Sequence, residues 1–215
     1  MNENVAVVLG AGPGLGFSLA KRWAQEGYTV VIMARDHARI TQAAHQLTER
    51  GLKAYAQVID CADNDSIRTA LAKVQDEVGP IDTLLYNTAV LRDGLASAID
   101  PAELCRRYQV DVAGAVAAVQ AVLPGMRAAG RGTILFTGGG LALNPLSQFI
   151  SISIHKAALR AYAQALHDEV ASDGVYAGIV NVLGNIGTTD HYAPAAIAYA
   201  FFELASTQGS FELTY

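Results

Sequence analysis

Short apolar runs of strand length alternate with longer helical segments along the chain. The first run, Val5–Leu9, is apolar at every position, which is typical of a strand covered on both faces. A glycine-rich turn follows, and then a helix is predicted from about Gly16 to Glu26, where Gly27 ends it. Further strands are predicted, in chain order, at residues 29–33, 54–59, 82–86, 133–136 and 176–182, with a closing strand at 210–213.

Helical patterns fill the intervals between these strands, at about residues 38–50, 65–78, 103–126, 151–170 and 194–205. Asp65 is the predicted N-cap of the second of these helices. The alanine-rich helix at 103–126 is predicted to bend near Gly114. Strands joined by crossover helices predict a single doubly wound α/β domain over residues 1–215, with a mostly parallel sheet of about seven strands.

Composition excludes several classes of protein. Apolar residues make up 52% of the 215 residues and charged residues 16%, as in a folded protein with a buried core. The net charge of -5 argues against nucleic acid as a partner, because phosphate binding needs a basic surface.

The chain is expected to be cytoplasmic, with no membrane partner. Its start, Met1 to Asn4, lacks the basic residues of a signal peptide, and the uncharged stretch 132–154 is interrupted by three consecutive glycines and Pro145. Cys61 and Cys105 match no metal-ligand spacing and are interpreted as reduced core thiols, so no metal site is predicted.

The turn after the first strand carries the clearest binding signal. Glycines let a backbone turn tightly and let a phosphate approach, and the following helix presents free N–H groups to it. Gly10, Gly14 and Gly16 fit the spacing Gly-x-x-x-Gly-x-Gly, whereas Gly-x-Gly-x-x-Gly is not met. A glycine turn without a ligand is the alternative. The predicted phosphate contacts are Gly10, Gly12, Gly14, Leu15 and Gly16.

With these glycines, further residues at strand ends make the chain resemble the short-chain dehydrogenase/reductase family over nearly its whole length. They are Asp60, Asn87, Lys156 and the run 184–188. The resemblance implies a Rossmann fold, oxidoreductase activity, a nicotinamide dinucleotide and a homodimer or homotetramer built on the helices at 103–126 and 151–170. It also implies cofactor contacts from Asp60, Cys61, Asn87, Thr88, Lys156, Ile186 and Thr188.

The end of the second strand bears on which dinucleotide is bound. A carboxylate there binds the ribose hydroxyls of NAD, whereas a cation accepts the 2′-phosphate of NADP. The position usually acidic is Ala34, and Arg35 follows it, which favours NADP(H) over NAD(H). Pro13, in a loop position often basic in similar NADP enzymes, and Asp36, if it turns inward, favour NAD.

The family's catalytic residues are mostly replaced. In the family, a tyrosine exchanges the substrate proton, a lysine lowers its pKa, a serine orients the substrate and an asparagine supports a water relay. Carried onto this chain, the lysine is Lys156, but the tyrosine position is Ile152, the serine position is Gly139 and the asparagine position is Asp111. The sequence therefore indicates an atypical or degenerate active site.

Candidate substitutes for the missing acid are Asp111, if it is buried beside Lys156, and His155. Adjacent helix positions point about 100° apart, so His155 is expected to face away from Lys156, towards the surface or an interface. His191 and Tyr192 lie in a loop that could close over the site. The sequence leaves open a redox enzyme, a non-redox isomerase, dehydratase or cyclase, and a non-catalytic nucleotide-binding or partner subunit; the small-molecule substrate is not predicted.

Overall fold

Seven parallel strands form one sheet in the computed structural model, which describes residues 4–92 and 94–215. The strand order is β3-β2-β1-β4-β5-β6-β7, so the order reverses between β1 and β4. The strands are β1 (Val5–Leu9), β2 (Thr29–Ala34), β3 (Ala54–Val58), β4 (Ile81–Tyr86), β5 (Gly132–Thr137), β6 (Val175–Asn181) and β7 (Glu212–Thr214). In such sheets, ligands bind outside the carboxyl ends of the strands, at the point where the order reverses.

Helices cover both faces of the sheet, as the fully apolar strands require. Along β1, Val7 and Leu9 face one core together with α3, α5 and α6, and Ala6 and Val8 face a second core with α1, α2 and α7. The helices are α1 (Leu15–Gln25), α2 (His37–Thr48), α3 (Asn64–Glu77), α4 (Pro101–Tyr108), α5 (Gly114–Ala129), α6 (Ile150–Val170) and α7 (Pro194–Thr207). The predicted doubly wound, single Rossmann-like α/β domain is confirmed.

Several predicted boundaries were wrong in detail. The N-cap of α3 is Asp63, whose carboxylate accepts the backbone N–H of Asp65 at 2.9 Å, so the helix begins earlier than predicted. The closing strand lies at 212–214 and pairs in parallel with β6. Cys61 is buried, but Cys105 is exposed on α4, so only one of the two thiols belongs to the core.

The long helix predicted at 103–126 runs from Pro101 to Ala129 and contains a π-helical turn, Gln109–Ala113, just before Gly114. By length and composition this helix could cross a membrane, but half of its most apolar window is buried inside the domain. The uncharged stretch 132–154 is β5, a loop and the start of α6.

A buried amide at the end of β6 fastens the loop after β5. Asn181 is fully buried; its Oδ1 accepts the backbone N–H of Gly139 at 3.2 Å, and its Nδ2 donates to Glu212 at 2.5 Å. Glu212 also pairs with Arg160 of α6 at 2.5 Å. A Cβ at Gly138 would overlap the Asn181 amide, so this contact fixes the loop closely.

We predict that Asn181→Asp lowers the unfolding free energy at pH 7 by more than about 2 kcal/mol, because it buries a second carboxylate against Glu212. The loss should shrink at acid pH, where one carboxyl is protonated. Adding Glu212→Gln should recover much of it, since the new amide can donate to the carboxylate. Urea unfolding measures the free energy of unfolding of the single and the double variant. A double variant no more stable than Asn181→Asp alone would contradict this account.

Candidate nucleotide-binding and active site

The turn between β1 and α1 is tight enough to require glycine at two positions. Gly10 has φ +83°, and a Cβ there would lie 2.7 Å from the carbonyl oxygen of Asn87. A Cβ at Gly16 would lie 2.6 Å from Cα of Ala11. The N-cap of α1 is Gly14, which has no side chain to cap the helix, and the first turn contains no acidic residue. The first N–H groups of α1 are therefore suited to an anion such as a pyrophosphate.

A cleft of about 1520 Å³ opens beside this turn at the carboxyl ends of β1, β2 and β4. It exceeds the roughly 300–1,000 Å³ typical of sites for drug-sized ligands and has room for a dinucleotide. Of the predicted cofactor residues, the lining includes Gly10, Gly12, Arg35, Asp60, Cys61, Asn87 and Thr88. The predicted residues that do not line it are Gly14, Leu15, Gly16, Lys156, Ile186 and Thr188.

Two arginines stand at the β2 end of the cleft. Asp36 also lines the cleft, but its carboxylate caps α2, accepting the backbone N–H of Arg39 at 3.1 Å, and pairs with the Arg39 guanidinium. Arg35 is exposed and forms no ion pair within residues 4–92 and 94–215. Sequence reasoning missed Arg39, although its spacing, one helical turn after Arg35, was a usable signal.

Asp60 and Cys61 line the cleft at the end of β3. Oδ1 of Asp60 accepts the backbone N–H of Ala62 at 2.9 Å, so this carboxylate shapes the turn as well as facing the cleft. Burial raises the pKa of the Cys61 thiol from 9.0 to about 11. The thiol is therefore protonated at neutral pH and is a packing group, not a nucleophile.

Asn87 ties three strand ends together. Its Nδ2 donates to the carbonyl oxygen of Gly10 at 3.0 Å, and its Oδ1 accepts the hydroxyl of Thr137 at 2.8 Å. Both functions of the amide are therefore used within the fold. Its side chain sets the distance between the β1 turn and the end of β5, while a direct contact with the cofactor stays a prediction.

Lys156 is buried on α6 with its amine at the carboxyl edge of the sheet. Nζ donates to the carbonyl oxygens of Thr137 at 2.5 Å and Thr88 at 3.3 Å. Burial lowers the pKa of Lys156 from 10.5 to about 8, although the charge of Asp111 acts in the opposite direction. Lys156 is therefore not an exposed helix lysine.

Two positions singled out by the resemblance, 152 and 139, lie beside this lysine. Ile152 is one helical turn before Lys156 and is buried. A Cβ at Gly139 would lie 4.0 Å from Cγ of Lys156, with no heavy atom nearer than 3.9 Å. The fold thus brings positions 139 and 152 close to Lys156, while their catalytic correspondence stays a prediction.

The prediction that His155 faces the surface or an interface was wrong. The side chain is fully buried, and Nδ1 lies 2.8 Å from Oδ2 of Asp111, which is also fully buried. The π-helical turn explains this pairing, because the carbonyl of Val110 accepts the hydroxyls of Tyr86 and Thr88 and the turn widens there. Asp111 is thereby directed towards α6.

The loop after β6 holds its polar and aromatic residues against neighbours. Thr188 Oγ1 donates to the carbonyl of Asn185 at 2.7 Å, and Ile186 is exposed. The ring of Tyr192 packs on Gly184, and His191 stacks on Tyr215 with ring centroids 4.6 Å apart. Among the residues that the structure describes, no three His, Cys, Asp or Glu side chains are grouped as metal ligands would be.

Comparison with known proteins agrees with this fold. The family model described as short chain dehydrogenase matches residues 4–194. A 3-dehydrosphinganine reductase of Arabidopsis thaliana is 30% identical over 79% of this chain, and the chain spans only 51% of the length of that relative.

Solved structures show the same fold. A metagenomic short-chain oxidoreductase in complex with NADP is 25% identical, with a TM-score of 0.87 over 99% of this chain and 96% of that one. L-sorbose reductase from Gluconobacter frateurii, complexed with NADPH and L-sorbose, has a TM-score of 0.91 at 24% identity, over 100% of this chain and 95% of that one.

Gly16 and Gly12, both near the turn between β1 and α1, give a matched test of its packing. Gly16→Ala should lower the unfolding free energy by about 1–3 kcal/mol, because the new Cβ meets backbone atoms that cannot move aside easily. Gly12→Ala should change it by less than about 0.5 kcal/mol, because a Cβ there has no heavy atom within 4 Å. Equal losses in urea unfolding would show that the turn is not closely packed at Gly16.

Proposed function

The chain belongs to the short-chain dehydrogenase family, and from this premise we propose that it binds NADP(H) and is an oxidoreductase with an atypical active site. One observation carries the proposal. A dinucleotide-sized cleft and a buried lysine are present together, while the two positions beside that lysine carry Ile152 and Gly139, which have no proton to donate. Cofactor binding is retained and ordinary acid catalysis is reduced.

The choice of NADP(H) over NAD(H) is supported by the charges at the end of β2. Asp36 lines the cleft, but its carboxylate caps α2 and pairs with Arg39, and these contacts compete with binding to ribose hydroxyls. Arg35 lines the cleft as an exposed cation suited to the 2′-phosphate. The metagenomic relative of known structure, which binds NADP, is consistent with this choice.

The bound cofactor would supply a hydride; the residues of the chain then decide what happens to the substrate oxygen. Of the residues at positions 139, 152 and 156, Lys156 is the one that ionises. With a pKa of about 8 it is mostly protonated at neutral pH. Its positive charge would stabilise an alkoxide formed at this site, but Ile152 supplies no phenol that would deliver the proton. We therefore expect slow reduction of reactive carbonyl compounds.

Other parts of the proposal rest on the family alone. Association into a homodimer or homotetramer through the helix Pro101–Ala129 and α6, and a cytoplasmic location, remain predictions. The named relatives are reductases and an oxidoreductase, which favours redox chemistry over the isomerase, dehydratase, cyclase or subunit alternatives.

We predict that the native chain binds NADPH more tightly than NADH in calorimetric titrations. Arg35→Ala should weaken NADPH binding about tenfold or more and leave NADH binding unchanged, since a lost charge-assisted contact is worth roughly 1.5–3 kcal/mol. Arg50→Ala is the control, because Arg50 follows α2 and does not line the cleft. No binding of either nucleotide at millimolar concentration would refute cofactor binding altogether.

We predict that Gly139→Ser combined with Ile152→Tyr raises the rate of carbonyl reduction with NADPH by at least about 100-fold, the lower range for a positioned general acid. The space at Gly139 admits a side chain, and residue 152 lies one turn from Lys156. The control is Gly139→Ala with Ile152→Phe, which adds the same bulk without hydroxyls. Fast native turnover, or an equal gain in the control, would contradict the loss of the acid.

A further inference from the structure

A buried pair of side chains joins α6 to the π-helical turn next to the active-site lysine. His155 and Asp111 are both fully buried, and Nδ1 and Oδ2 are 2.8 Å apart. The other carboxylate oxygen, Oδ1, accepts the backbone N–H of Val90 at 2.9 Å. One carboxylate thus connects a helix to the loop after β4.

The same loop also contacts the active-site lysine. The carbonyl oxygen of Thr88, two residues before Val90, accepts a hydrogen bond from Lys156 Nζ. Two adjacent residues of α6 therefore hold the loop: Lys156 directly, and His155 through Asp111. Movement of Asp111 would displace both the Thr88 carbonyl and the negative charge that acts on the lysine.

Only one of the two ring nitrogens of His155 has a hydrogen-bond partner among the described residues. Nε2 is buried without a hydrogen-bond partner among the described residues, and the nearest ring is Tyr108, edge-on at 5.7 Å. A buried N–H without an acceptor is costly. The arrangement therefore favours the tautomer with its proton on Nδ1, donated to Asp111, and the lone pair on Nε2.

We propose that Asp111 and His155 form a positioning pair for Lys156, in which His155 fixes the Asp111 carboxylate and this carboxylate fixes the loop after β4 and the charge state of the lysine. The proposal deepens the proposed function, because it concerns the lysine of that site. Within the described part of the chain, the charged or ionisable side chains that face the pair include Lys156, Tyr86 and Tyr108. Asp111 opposes the lowering of the Lys156 pKa by burial, as the proposal requires.

The test uses the chain without cofactor, so it is independent of nucleotide binding. The sequence contains four lysines, and carbon-13 labelling at Cε allows each to be titrated by NMR. In the native chain Lys156 should titrate near pH 8, charged below and neutral above. Asp111→Asn removes the opposing charge, so the midpoint should fall by about one pH unit, a tenfold rise in the acid dissociation constant.

His155→Leu should also shift the Lys156 midpoint, and combining it with Asp111→Asn should give no shift beyond that of Asp111→Asn alone. His167→Leu, on the same helix and bonded through Nδ1 to the carbonyl of Ala177, should leave the midpoint unchanged. Additive shifts from Asp111→Asn and His155→Leu, or no shift with Asp111→Asn, would overturn the proposal.

A measurement on the native chain covers the case in which these variants do not fold. Nitrogen-15 NMR of the histidines should show His155 protonated on Nδ1, with a hydrogen-bonded, slowly exchanging proton. A proton on Nε2 alone would overturn the pairing. Absence of NADPH binding would refute the proposed function and leave these NMR results standing, so the two failures are distinguishable.

Discussion

The buried amine of Lys156, bonded to the carbonyl oxygens of Thr88 and Thr137, is the contact on which the candidate site depends. It joins α6 to the ends of β4 and β5 at one edge of the sheet. A charged amine is stable there only because these carbonyls and the carboxylate of Asp111 offset its desolvation.

The two halves of the candidate site differ in the side chains that they present. The half next to β1, β2 and β3 has the glycine turn, the uncapped helix and an arginine-bearing cleft. The half next to α6 keeps the lysine but carries aliphatic or absent side chains at positions 152 and 139. This division is the basis of the proposal that the chain binds a dinucleotide but transfers a proton poorly.

Sequence reasoning predicted what depends on local pattern. Continuous apolar runs identified the parallel strands, and glycine spacing identified the tight turn between β1 and α1, because both reflect short-range requirements. It missed what depends on distant contacts. The pairing of Asp111 with His155 arises from a π-helical turn that two hydroxyls on β4 and its loop help to form. Likewise, the link from Asn181 to Glu212 needs the last strand beside β6.

A crystal structure of the chain with NADPH tests the central claim most directly. We predict that the pyrophosphate lies on the turn from Gly10 to Gly16, that Arg35 contacts the 2′-phosphate, and that Ile152 occupies the place of the proton donor beside Lys156. Nucleotide bound outside this cleft would contradict the account. So would an ordered hydroxyl or imidazole from elsewhere in the chain within hydrogen-bond distance of the substrate position, because it would restore the acid that we propose is missing.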